Sequence, residues 1–160
     1  MVSDQTSLRA ILEAYDPDPA NLLDILHDVQ AADERNHLSR EALRDVAEYL
    51  NLPASSVISS ATFYSMFSLT PRGRHIIRIC ESPPCQLVGA DSLLDLLVET
   101  LGVDVGETSA DGVFTLETSS CLGVCGVAPA MMIDEELYGN LTPERLIETL
   151  DAVRSGDDGA

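Results

Sequence analysis

Apolar residues along this chain follow two different rhythms. Between residues 19 and 64 they recur at three- and four-residue spacing, with Leu22, Leu23, Leu26, Val29 and Gln30 in one stripe and Leu43, Val46, Ala47 and Leu50 in another. Side chains spaced this way share one face of an α-helix. Ser39 and Glu41 suit the start of the second stripe, because a hydroxyl caps free amides and an acid in the first turn complements the helix dipole. Asn51-Leu52-Pro53 ends it, since proline removes a helical donor and clashes with the preceding turn. A further short helix is expected over residues 54–63. The first 70 residues therefore read as three or four helices packed together.

After Thr70-Pro-Arg-Gly73 the period shortens, and residues 74–80 alternate in the β-branched manner of a strand. A loop holding Pro83-Pro84-Cys85 follows, then an amphipathic helix over 90–101 carrying Leu93, Leu94, Leu97 and Leu101, with Gly102 as its C-cap. Strands are predicted at 113–118 and 130–133, separated by a glycine-punctuated loop at 121–129, and 137–140 returns as a hairpin. Thr142-Pro143-Glu144 opens a last helix with cap, first-turn proline and acid in order. The order β-α-β-β-α predicts an α/β chain: an N-terminal helical bundle over 1–70, then a thioredoxin-like domain with a mixed sheet over 71–154. Residues 155–160 are expected to be a frayed tail.

With 160 residues, 45% of them hydrophobic, the chain can bury a core of its own, and with 4% aromatics that core must rest on Leu, Val, Ile and Ala. Nine basic against 27 acidic residues give a formal charge of −18. Such a charge repels phosphate backbones and anionic lipid, which argues against nucleic acid as a partner. The N-terminus lacks the basic and apolar regions of a secretory signal, and no apolar run approaches the roughly 20 residues that span a bilayer. A cytoplasmic location without membrane insertion is expected. In that reducing compartment the four cysteines read as metal ligands or redox thiols rather than disulfides.

Those cysteines fall as two pairs, Cys80 with Cys85 and Cys121 with Cys125, each pair in or beside a loop that follows a strand. A shared sheet would bring the two loops to one edge. A 2Fe-2S cluster needs two thiolates per iron, and the natural division sets one pair on each iron. Gly123 and Gly126 leave the second loop free to turn backbone amides toward sulfur. Spacing alone also admits tetrahedral zinc on the same four residues, as in a zinc-stabilised interaction module without a redox role. No Cys-x-x-Cys is present, which weakens a thioredoxin-type catalytic reading. His27, His37 and His75 lie far apart and read as surface or packing, and Phe63, Tyr64 and Phe67 as core or subunit interface. Neither a Gly-x-Gly-x-x-Gly turn nor a phosphate-binding Gly-Lys-Ser/Thr loop occurs, so NADH and FMN are expected on another chain.

The run from Cys121 through Tyr138-Gly139 and Leu141-Thr-Pro-Glu144, with Ala61-Thr-Phe-Tyr-Ser-Met-Phe67 and Ile25-Leu-His-Asp-Val-Gln30, resembles the small 2Fe-2S subunit of respiratory complex I, the thioredoxin-like ferredoxin family. The likeness spans residues 22–153 and includes the four-cysteine spacing. It implies a 2Fe-2S cluster on Cys80, Cys85, Cys121 and Cys125, in a chain that performs no catalysis itself. It implies docking on a flavoprotein that binds FMN and NADH, among further iron-sulfur subunits, with single electrons exchanged between cluster and flavin. The family also serves NAD-linked formate dehydrogenases and NAD-reducing or bifurcating hydrogenases, and a place in the cytoplasm or on the cytoplasmic face of a membrane complex is expected. Glu81-Ser-Pro-Pro84 departs from both common forms of the first loop. Because proline has no amide hydrogen, a stiffer loop with fewer N–H to sulfur bonds and a lower reduction potential is expected.

Overall fold

The computed structural model describes residues 3–157, and the chain divides into two compact units, Met1–Arg72 and Gly73–Ala160. The first unit is helical throughout: α1 (Ser3–Glu13), a 3-10 turn (Pro19–Asn21), α2 (Leu22–Ala31), α3 (Arg40–Tyr49) and α4 (Ala54–Phe63). Its core takes most of the two stripes, Leu26, Val46 and Leu50 being closed off from solvent together with Ile25, Leu38 and Val57, whereas Leu23 of the first stripe stands exposed. Ser39 caps α3, its hydroxyl accepting the Ala42 amide at 3.1 Å. Gln30 belongs to the stripe for a reason other than apolarity. Its buried amide donates to the Met66 carbonyl at 3.0 Å and accepts the Ser68 amide at 2.8 Å, tying the segment after α4 to α2. Helix α1 is an element the sequence reading left out, although Leu8, Ile11 and Leu12 recur at helical spacing and pack on this core.

The second unit holds the sheet. Strands β1 (His75–Cys80), β2 (Phe114–Ser119), β3 (Met131–Ile133) and β4 (Glu136–Tyr138) are ordered β2-β1-β3-β4. β1 pairs with β2 in parallel, from His75↔Phe114 to Cys80↔Ser119, while β1–β3 and β3–β4 are antiparallel. The mixed sheet is the one the element order implies, because a parallel pair needs a crossover and a short hairpin returns antiparallel. The crossover helix is α6 (Ala90–Leu101), which packs on β1, β2 and the last helix, α7 (Pro143–Asp157). Gly102, with φ of 66°, ends α6, and its amide donates to Val98 O at 2.9 Å. Ile77, Leu97, Phe114, Leu116, Met131 and Leu146 fill the core between them.

Three places differ from expectation, the first being a 3-10 turn (Cys125–Val127) inside the segment 121–129 read as loop. Residues 83–87, read as loop, form a short helix, α5 (Pro83–Leu87): a proline suits the first turn, where the free amides need no helical partner, and Ser82 before it is extended with ψ of 147°. Helix α7 continues through Ser155, Gly156 and Asp157, where the tail was expected; the remainder of that tail, residues 158–160, lies outside the described residues.

Candidate metal centre

The sheet order decides where the cysteines go. β1 lies between β2 and β3, so the chain leaving β2 must pass the carboxyl end of β1 before it can start β3. Cys80 is the last residue of β1, and it is held from both sides: its amide donates to Ala130 O at 3.1 Å, and the amide of Glu81 donates to Ser119 O at 2.9 Å. The segment that crosses over it, residues 120–130, carries Cys121 and Cys125. On the other side, the amides of Cys85 and Gln86 donate to Ser82 O at 2.9 and 3.0 Å, which winds α5 and turns Cys85 back toward Cys80.

Cys80 and Cys85 are buried, 3% and 1% exposed, and with Ala90 they form a small apolar cluster against which Leu122 and Ala128 of the crossing loop pack. The two cysteine loops therefore interlock. Cys121 and Cys125 stand exposed on the outer loop. Among the described residues no three His, Cys, Asp or Glu side chains are gathered closely enough to enclose a metal ion as they stand. Instead Cys80 and Cys85 touch, Cys125 bears electrostatically on Cys85, and the Cys121 sulfur accepts the Gly123 amide at 3.3 Å. Gly123 reaches that place with φ of 76°, a conformation that disfavours any side chain.

Burial pushes the Cys80 thiol up, yet the amides of Ser82 and Leu122 and the thiol of Cys85 outweigh it, and Cys80 ionises below the ordinary thiol range. Cys85 moves the other way, raised first by burial and then by Cys80, with the Ala130 amide opposing. Of the two touching thiols, Cys80 is therefore the one that ionises more easily. The donor set suits a 2Fe-2S cluster: four thiols from two interlocked loops, with backbone amides on the sulfurs of Cys80, Cys85 and Cys121 to stabilise negative charge.

Two of the three histidines singled out in the sequence have partners of their own. His37 Nδ1 lies 2.6 Å from Asp33 and His75 Nδ1 2.6 Å from Asp134, so each pairs with a carboxylate. Phe67 is buried in the helical core, whereas Phe63 is 79% exposed. Sequence reasoning gave no role to Gly139 and Val127. A Cβ on Gly139 would lie 2.5 Å from Val127 Cγ2, and next to it Asn140 donates to Val127 O at 2.6 Å while Leu141 donates to Pro129 O at 3.1 Å. The exit from β4 thus clasps the crossing loop from behind. Such a contact joins segments whose spacing in the chain says nothing of it.

A family profile described as Thioredoxin-like [2Fe-2S] ferredoxin matches residues 8–154. One of the NADH-quinone oxidoreductase subunits of Pseudomonas aeruginosa is 37% identical over 150 residues, covering 94% of this chain and 89% of that protein. The corresponding NADH-quinone oxidoreductase subunit of Rhizobium meliloti is 39% identical over 127 residues, covering 79% and 76%. Among solved structures, a crystal structure of NAD+-reducing [NiFe]-hydrogenase in the air-oxidized state superposes with a TM-score of 0.75 at 23% identity, over 85% of this chain and 23% of that one. At that identity the likeness is one of fold.

Proposed function

The chain belongs to the thioredoxin-like 2Fe-2S ferredoxin family, and on that premise we propose that it is a non-catalytic electron carrier within a larger complex, trading single electrons with the FMN of a partner NAD(H)-linked flavoprotein. Cys80, Cys85, Cys121 and Cys125 hold its cluster. When bound, that cluster supplies a one-electron site, which the two-electron chemistry of nicotinamide and flavin requires from somewhere. The protein's own residues do the rest. The end of β1 and helix α5 fix Cys80 and Cys85 in a dry pocket, the amides of Ser82, Leu122 and Ala130 receive negative charge on sulfur, and Gly123 does so for Cys121. The exposed outer loop puts the other side of the site at the surface, where a partner can approach. The reading rests above all on the interlock, in which Leu122 both packs on the buried pair and offers its amide to Cys80.

The complex is an NADH dehydrogenase of the quinone-linked kind, in line with the relatives at 37% and 39% identity, or a related hydrogenase or formate dehydrogenase module with further iron-sulfur subunits. It works in the cytoplasm or on the cytoplasmic face of a membrane complex; among the described residues no helix is long and apolar enough to cross a membrane. The test is gentle anaerobic purification through a tag on the full chain, with iron, sulfide and zinc assays and identification of co-purifying subunits. Equal iron and sulfide with a flavoprotein is the expected result, and Cys80→Ser removes most of the iron. A colourless chain with stoichiometric zinc and no flavoprotein overturns the proposal.

A further inference from the structure

Charge is sorted along α3. Glu41 and Asp45 face a small cavity toward α1 and α2, while Arg40 and Arg44 face a groove against α4, a cavity of about 400 Å³ with no acidic side chain in its lining. Leu38 and Leu43 are buried at its base, and Ile58 and Leu69 stand 40% and 41% exposed at its rim. Among the described residues the Arg40 and Arg44 side chains enter no hydrogen bond or ion pair, in a chain with 27 acids to choose from. Other arginines are engaged: Arg9 with Glu13, Arg78 with Glu117, Arg154 with Asp111, and Arg35, Arg72 and Arg145 with backbone carbonyls.

At its first turn this arrangement works against α3 by itself. Arg40 is the first residue of the helix, where a cation opposes the dipole, and two like charges at i and i+4 repel. An exposed apolar rim beside them adds nothing to the folded unit. Features that cost stability in isolation and are complementary to something absent mark a binding surface.

We propose that the α3–α4 groove docks an acidic amphipathic segment of another subunit of the parent complex, an apolar side chain seated on Leu38, Leu43, Ile58 and Leu69, with carboxylates meeting Arg40 and Arg44. The inference rests on the complex-subunit reading above and assigns the helical unit a contact of its own, made by residues other than those of the cysteine loops. A helix laid in a groove with anchors one turn apart is the mode of recognition that fits.

The intact complex is purified anaerobically with Ile58 of the full chain replaced by benzoylphenylalanine, cross-linked by light, and the joined peptide sequenced. In parallel, Arg40→Glu/Arg44→Glu and Arg40→Lys/Arg44→Lys chains are compared for retention in the complex on dilution. The expected result is a cross-link to an Asp/Glu-rich segment of another subunit, a roughly thirtyfold weaker hold for the glutamate pair, and near-normal hold for the lysine pair. Iron and sulfide per chain stay unchanged in both. A cross-link to this same chain or a second copy, a cross-link to a basic segment, no protein cross-link, or unchanged retention of the glutamate pair overturns it. A wild-type chain that carries no iron and joins no complex instead sinks the electron-carrier reading, and the iron and sulfide assay tells the two failures apart.

Discussion

Replacing Gly139 with Ala tests whether the exit from β4 holds the crossing loop in place. The new methyl would lie 2.5 Å from Val127 Cγ2, 2.7 Å from Val127 Cβ and 2.9 Å from Val127 O. Non-bonded carbons are most favourable at about 3.5–4.0 Å, so all three contacts are repulsive. Rotation of Val127 relieves only the first of them; Cβ and the carbonyl are fixed to the backbone, and the loop itself has to move. Overpacking of this kind costs about 1–3 kcal/mol. In a unit this small that lowers Tm by roughly 5–20 °C. The assay is thermal unfolding under argon, followed both by visible absorbance of the cluster and by far-ultraviolet circular dichroism. The visible signal is expected to fall first, since the loop that moves is the one bearing Cys121 and Cys125. Val127→Gly removes two of the three clashing atoms, so in the double variant the two losses are less than additive. A Gly139→Ala protein that melts with the wild type, or losses that simply add, refutes the clasp.

Two further expectations concern the first loop and the acid limb of stability. Pro83 and Pro84 open α5, and Pro84→Ala adds an amide hydrogen one residue from Cys85, so the reduction potential should rise in a redox titration; an unchanged or lower potential refutes the link. Asp111 is held below the usual carboxylate range by the Ser109 hydroxyl first, then the Val113 amide and Arg154. Because its folded pKa is the lower one, its stabilisation is complete above the ordinary carboxylate value of about 3.9 and is lost as pH falls below that. Tm of Asp111→Asn should therefore decline less than wild type between pH 5 and 3, while parallel curves remove Asp111 from the acid response.

How much of this was legible follows the range of the interactions. The stripes at Leu22–Val29 and Leu43–Leu50, the Ser39 cap, the Thr142 start and the Gly102 stop are local, and the structure bears them out except at Leu23, which stands exposed. The mixed sheet also followed from element order. Helix α1 was readable in Leu8, Ile11 and Leu12 but sits in a polar run that obscures the period. Helix α5 hid behind two prolines that stop a helix in its middle and favour one at its start. Contacts between distant segments had no local signal at all. That Leu122 would offer its amide to Cys80, that Gln30 would be buried for its hydrogen bonds, and that Gly139 must be small for Val127 all depend on how distant segments are brought together, in the second unit by the order β2-β1-β3-β4.

That order also bears on how a chain of charge −18 can hold a thiolate-rich centre. Most of the acids are too distant to matter, since screening at physiological salt acts over about 8 Å. The local field decides, and there Glu81 beside Cys80 is the opposing charge, while the neighbours that favour thiolate are two amides and the Cys85 thiol rather than cations. Amides serve only if the backbone is aimed, and here three different devices aim it: the end of a parallel strand for Ser82, a glycine with positive φ for Gly123, and the crossing of the loop over β1 for Leu122 and Ala130. Among the described residues no arginine bears on the Cys80 and Cys85 thiols, so the charge there is met by aimed amides, while the Arg40 and Arg44 side chains stay unpaired on the helical unit.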